Sequence, residues 1–233
     1  LKERDFIKVK EWLSQTTILK KAIKKDEFQK TAIKKILNEL EKNNRTTCLM
    51  ACGTGKTLVG MWVFEKLYPK TTLILVPSIA LIKQIRDDWY SDSNIKFDSI
   101  AVSSSKDTDK NIDEFVIEQD FLDFKMTTDA KKIRKFLNKN TKNPKVIFST
   151  YQSSKKIGEA LNGKKLIDFA IFDEAHRTSR VKKLDKNTQP SFSYALEDKN
   201  IFINKRLFMT ATRRVSKFKD FNKEGDEKMM MTM

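Results

Sequence analysis

Met50-Ala51-Cys52-Gly53-Thr54-Gly55-Lys56-Thr57 is the stretch on which the reading of this chain turns. A short apolar run, Thr46 to Ala51, leads into it and reads as a buried strand; an amphipathic helical run from Leu58 to Leu67 leads out. Strand, glycine loop and helix in that order form a phosphate-binding loop. Gly53 and Gly55 let the backbone come close to an anion, and successive N–H groups with the helix N-terminus supply partial positive charge. Around such a loop, from Gly53 through Thr54 to Thr57, Lys56 reaches the β- and γ-phosphates and the Thr57 hydroxyl sits on Mg²⁺. The general pattern has a further glycine five residues before Gly55, where this chain has Met50. A plain glycine turn with a surface lysine is the bland alternative.

The chain of 233 residues allows one large domain or two small ones, with the composition of a folded protein. Lys+Arg 47 against Asp+Glu 31 gives a formal charge of +16. Basic side chains displace counterions from phosphates, so a polyanionic partner fits; solvated lysine spread over helix faces would give the same balance. The two cysteines, Cys48 and Cys52, and the single histidine make neither a zinc site nor a disulfide framework. No apolar run approaches a membrane span and no secretory signal is present, so the expectation is a soluble, intracellular, cytoplasmic protein with no membrane partner. A first residue of Leu1 rather than Met suggests a fragment or processed product.

Residues 1–20 carry Phe6, Trp12 and Leu19 among charges and read as an N-terminal arm. Asp26 then caps a helix over 27–42, with Phe28, Ala32, Ile33, Ile36, Leu37 and Leu40 at helical spacing. Gln29 lies in its first turn; it is either an ordinary exposed glutamine or an amide able to pair with the edge of adenine. Thr71 to Val76, closed by Pro77, predicts a second strand, and Ser78 caps a helix to about Tyr90. Phe97–Ser103 predicts a third strand, followed by an excursion without clear period over 104–127. A helix starts at Thr128 or Asp129, Lys145–Thr150 is a fourth strand, and Ser153–Leu161 a short helix. Ile167–Phe172 is a fifth strand, residues 177–189 a basic loop, Pro190–Leu196 a helix, and Arg206–Thr210 a sixth strand. Strands alternating with helices predict an α/β fold with a mainly parallel central sheet covered by helices on both faces. Phosphate ligands of such sheets bind at the carboxyl ends of the strands, where the glycine loop, Asp173 and Thr210 all fall.

Asp173-Glu174-Ala175-His176 follows four apolar residues and places two carboxylates at a strand end. ATP hydrolysis needs one carboxylate to hold the Mg²⁺ that bridges phosphates and another to polarise the attacking water. Asp173, nearer the strand, suits the metal and Glu174 the base; a solvated acidic turn is the alternative. The lone His176 is a weak ligand candidate and reads better as a hydrogen-bonding link between the site and neighbouring loops.

Gln29, Gly55-Lys56-Thr57, Asp173-Glu174-Ala175-His176 and Thr210-Ala211-Thr212 occur in the order and approximate spacing of superfamily 2 helicases of the DEAD/DEAH type. The chain resembles the first RecA-like, P-loop NTPase domain of that family over about residues 20–215, leaving 216–233 as a basic, Met-rich tail. The resemblance implies that Gln29 reads adenine and that Gly53, Thr54, Gly55, Lys56 and Thr57 cradle ATP. It implies that Pro77 and Ser78, with Thr150, Tyr151 and Gln152, contact the nucleic-acid backbone. His176, Thr210 and Thr212 would couple hydrolysis to strand movement. In finer texture, Phe148-Ser149-Thr150-Tyr151-Gln152-Ser153 and Phe172-Asp173-Glu174-Ala175-His176-Arg177-Thr178 look like the helicase part of restriction-type DNA translocases. The family usually has Pro after Thr-Ala-Thr, and this chain has Arg213.

Helicases of this class hold ATP between two RecA-like domains, the second supplying arginines to the transition state. Too few residues follow Thr212 for a second domain, so the expectation is a motor domain cut from a longer protein or encoded as a split one, partnered in cis or trans. Three readings result: the ATPase half of a DNA helicase or translocase, an RNA helicase domain with the same engine, or a non-catalytic nucleotide- or nucleic-acid-binding module. DNA is favoured over RNA by texture alone; the 2′-hydroxyl contacts that discriminate them are not visible in sequence.

Overall fold

The computed structural model of the chain describes residues 24–103, 126–163, 166–174, 193–211 and 230–232. The expected N-terminal arm and the basic loop at 177–189 lie outside them, as do His176 and Thr212.

The elements are α1 (Glu27–Lys42), β1 (Arg45–Leu49), α2 (Lys56–Leu67), β2 (Thr71–Val76), α3 (Ile79–Asp92), β3 (Asp98–Val102), β4 (Met126–Thr127), α4 (Ala130–Asn138), β5 (Lys145–Thr150), α5 (Ser154–Leu161), β6 (Ile167–Phe172), a short 3-10 turn (Tyr194–Leu196), β7 (Ile203–Thr210) and β8 (Met230–Thr232). All the strands join one sheet in the order β4-β3-β5-β2-β6-β7-β1-β8. Every pairing in it is parallel. The expected α/β architecture is therefore present.

Its two faces are distinct in sequence. Alternate side chains of β2 point to opposite sides, so Ile74 and Val76 join the core beneath α1, α2 and α3, whereas Leu73 and Leu75 join the core beneath α4 and α5. The first core centres on Trp89, whose ring packs on Phe64, Phe97 and Phe148 at centroid distances of 5.0, 6.2 and 5.9 Å. In the second, Phe172 stacks on Phe208 at 4.6 Å. Among the described residues no helix is long and apolar enough to cross a membrane.

Several expectations shift. Residues 190–196, predicted as a helix, contribute only the 3-10 turn at Tyr194–Leu196 within the described part. Two strands were not expected: β4, which closes the 104–127 excursion against β3, and β8, which pairs with β1 through Met230–Thr232. Phe28, predicted on the apolar face of α1, is 41% exposed.

Candidate functional site

The carboxyl ends of β1, β6 and β7 lie side by side because β7 sits between the other two. β1 ends at Leu49, opposite Thr210 of β7. Met50, at the position of the missing glycine, extends this ladder: its N–H donates to the Thr210 carbonyl at 3.0 Å and its side chain is buried in the core. The chain then turns through Ala51–Thr54, with the Thr54 hydroxyl donating to the Ala51 carbonyl at 2.7 Å. Gly53 and Gly55 both have left-handed φ, +77° and +82°. At Gly55 a side chain is excluded twice, because a Cβ there would stand 2.7 Å from Gln29 Nε2.

Gln29 is buried, and both ends of its amide are engaged. Its Oε1 accepts from the Asp26 N–H at 3.0 Å, closing a capping box at the start of α1. Its Nε2 donates to the Thr54 carbonyl at 3.1 Å. The residue singled out for adenine thus fastens α1 to the glycine loop.

Lys56 opens α2 and folds back over the loop. Its Nζ donates to the Met50 carbonyl at 3.5 Å and stands 3.7 Å from Glu174 Oε1. The side chains of Lys56 and Glu174 keep only 11% and 23% of their surface exposed, so this pair is weakly screened. Asp173 and Thr57 border one small void, with Gly60, Ile74, Ile85, Trp89, Ile171 and Met209. Burial first, and the neighbouring Glu174 charge second, push the Asp173 carboxyl up to about 6; the Glu174 N–H and Lys56 pull it back down. Glu174 itself sits at φ +49°, which costs a non-glycine residue about 1–3 kcal/mol and is held only by surrounding structure. Thr57 and Asp173 thus bring a hydroxyl and a carboxylate, oxygen donors of the kind Mg²⁺ prefers, to neighbouring positions at the strand ends. Among the described residues no cluster of three or more metal-ligating side chains competes for a cation.

The second group of candidates is placed differently. Pro77 and Thr150 are buried, and Thr150 Oγ1 accepts from the Ser153 N–H at 3.3 Å. Ser78 is half-buried and its Oγ accepts from the Leu81 N–H at 3.5 Å as the cap of α3. Tyr151, expected at a polymer, has a wholly enclosed side chain: its surface is 0% exposed and its hydroxyl donates to the Asp173 carbonyl at 2.7 Å. A tyrosine rather than phenylalanine at a buried strand end was the sequence signal for such a partner. Gln152 is half-buried, with its Oε1 enclosed and unpartnered among the described residues. Of these five, the side chains of Ser78 and Gln152 alone leave the interior.

Residues 22–215 match the family described as the type III restriction enzyme, res subunit. A protein of African swine fever virus (isolate Tick/South Africa/Pretoriuskop Pr4/1996) named "Probable helicase" is 29% identical over 191 residues, which is 80% of this chain and 19% of that protein. The chain therefore spans about a fifth of the length of the curated relatives it matches. Among solved structures, the ATP-dependent Type ISP restriction-modification enzyme LlaBIII bound to DNA superposes with a TM-score of 0.69 at 32% identity. That match covers 82% of this chain and 13% of LlaBIII. The related LlaGI, in complex with a DNA substrate mimic, gives 0.65 at 30% identity over 83% of this chain and 18% of its own. The Hef helicase domain of Pyrococcus furiosus, at 17% identity and a TM-score of 0.52, shares the fold over 82% of this chain and 32% of its own.

Proposed function

The chain belongs to the family of the type III restriction enzyme res subunit, and on that premise we propose that it is the first RecA-like motor domain of a superfamily 2 helicase or translocase, coupling ATP hydrolysis to movement on DNA. The observation that carries this reading is the meeting of Lys56 and Glu174, 3.7 Å apart, over a glycine loop at the strand ends. In the proposed site the loop N–H groups and Lys56 bind the phosphates, with Gln29 holding the loop against α1. Thr57 and Asp173 would hold Mg²⁺, which when bound would neutralise charge on the phosphate oxygens. Glu174, with Lys56 3.7 Å away, orients and deprotonates the attacking water. The Asp173 carboxyl is pushed up to about 6 without metal, so protons compete with Mg²⁺ for it more strongly below that pH.

DNA is the favoured polymer because the restriction enzymes resembled at 30% identity or more are bound to DNA or its mimic. Turnover by this chain alone is expected to be slow, since an arginine contributed by a second domain is worth on the order of 10³ to 10⁵ in rate. The test is nucleotide binding and hydrolysis by the chain with single-stranded DNA, duplex DNA and RNA, beside Lys56→Ala. Stimulation by DNA over RNA supports the reading. Stimulation by RNA alone moves it to an RNA helicase domain, and nucleotide binding with no turnover under any condition leaves a non-catalytic module.

A further inference from the structure

Tyr151 carries a buried hydroxyl whose partner belongs to the proposed hydrolysis turn. β5 and β6 are not neighbours; β2 runs between them. Strands two apart in a sheet are separated by about 9.6 Å, which backbone hydrogen bonds do not cross. Tyr151 spans the gap with a side chain. Its own N–H continues the ladder onto β2, donating to the Val76 carbonyl at 3.1 Å, while Asp173 on the other flank donates to the Leu75 carbonyl at 2.9 Å. The Tyr151 ring then lies against Phe172 at a centroid distance of 6.4 Å, and its hydroxyl reaches the Asp173 carbonyl at 2.7 Å.

That carbonyl belongs to the Asp173–Glu174 peptide, whose other end, the Glu174 N–H, bonds the Asp173 carboxylate. One peptide plane is thereby fixed from both ends, at the bond that enters Glu174 with φ +49°. A left-handed residue persists only where its surroundings over-determine it, and the hydroxyl of Tyr151 is one such restraint.

The tyrosine also connects outward. Ser154 Oγ donates to the Tyr151 carbonyl at 2.7 Å and the Ser153 N–H to Thr150 Oγ1 at 3.3 Å, so hydrogen bonds within the turn after β5 tie it to Tyr151. Gln152, in the middle of that turn, keeps an enclosed amide oxygen with no partner among the described residues. We infer that Tyr151 is a positioning residue: it links the turn at 150–153 to the Asp173–Glu174 peptide, so that the position of this turn sets the orientation of the Glu174 carboxylate. The inference rests on the proposed ATPase reading for its catalytic consequence and on geometry alone for the link.

The experiment is Tyr151→Phe in the chain, which keeps the ring and removes the hydroxyl. Two measurements are made: amide exchange over the peptide containing 172–174, and DNA-dependent ATP hydrolysis with nucleotide affinity. The expected result is faster exchange at 172–174 with the glycine loop unchanged. A fall in kcat of about tenfold or more should accompany it, with KM and nucleotide Kd within about twofold, as for loss of orientation rather than of binding. Unchanged exchange at 172–174 overturns the link. Faster exchange with an unaltered kcat overturns the positioning role, and equal losses of kcat, affinity and thermal stability reduce the residue to packing. If the wild-type chain hydrolyses no ATP, the proposed function fails instead, and the exchange comparison still decides the link.

Discussion

Burial raises the Asp173 carboxyl from 3.8 to about 6, and this has a sign that can be worked through. Between those two pH values the folded chain binds a proton that the unfolded chain has released. The contribution of Asp173 to stability is therefore fully present below about pH 4 and is lost as pH rises through 6; at pH 8 the partly buried charge is a cost of up to about 3 kcal/mol. Asp173→Asn removes that cost while its amide oxygen still accepts from the Glu174 N–H. In the absence of nucleotide the variant should melt above the wild type at pH 8, with the gap closing as pH falls below 6. A melting difference independent of pH would show that Asp173 is better solvated than its surroundings imply. Glu174→Gln tests the neighbouring carboxylate. Hydrolysis should fall about 10²- to 10⁴-fold, the range of a lost general base, while nucleotide affinity stays close to wild type in an equilibrium binding titration.

At the scale of elements, helices dock where glycine lets them approach. Gly158 on α5 is the clearest case: a Cβ there would stand 2.6 Å from the Tyr194 hydroxyl and 3.0 Å from the Asn200 carbonyl, and the second is backbone. Gly158→Ala should push α5 off the 3-10 turn and cost about 1–3 kcal/mol, seen as a lower urea midpoint with an unchanged slope. Gly163→Ala offers the contrast. Its φ is +64° but nothing lies within 4 Å of the added carbon, so its cost is backbone strain alone, about 1–2 kcal/mol. The elements themselves were legible where the residues decide locally. Thr71–Val76, Lys145–Thr150 and Ile167–Phe172 are apolar β-forming runs with sharp ends, and each is a strand with those bounds. β4 and β8 were not legible, because two- and three-residue strands exist only through the partner they pair with. Arg206 shows the same limit. Its guanidinium is buried and donates to the Ile203 carbonyl and to Asp198, a placement no charge pattern announces.

Across the whole molecule the legible part of the candidate site is the part written in consecutive residues: glycine loop, Lys56-Thr57 and Asp173-Glu174. Less legible were relations between distant segments. Gln29, singled out for adenine, also secures Thr54, and Tyr151, singled out for a polymer, also secures Asp173. If the turn after β5 presents its main chain and Gln152 rather than Tyr151, polymer contact is a matter of phosphates met by backbone and lysine, not of stacking on aromatic rings. A chain with a formal charge of +16 then has a defined electrostatic signature. Each phosphate neutralised on a single strand should contribute about 0.7 to the slope of log affinity against log salt, whatever the base composition. In the proposed site nucleotide would be bound by Lys56, which is largely enclosed, and loop N–H groups, so its binding should respond far less to salt. Titrating fluorescent single-stranded DNA and nucleotide in parallel from 50 to 300 mM salt should therefore give two different slopes, steep for the polymer and shallow for the nucleotide. Equal slopes would place both ligands on the same exposed lysines. A salt-insensitive polymer would point to base stacking and send the search to aromatic residues outside this sheet end.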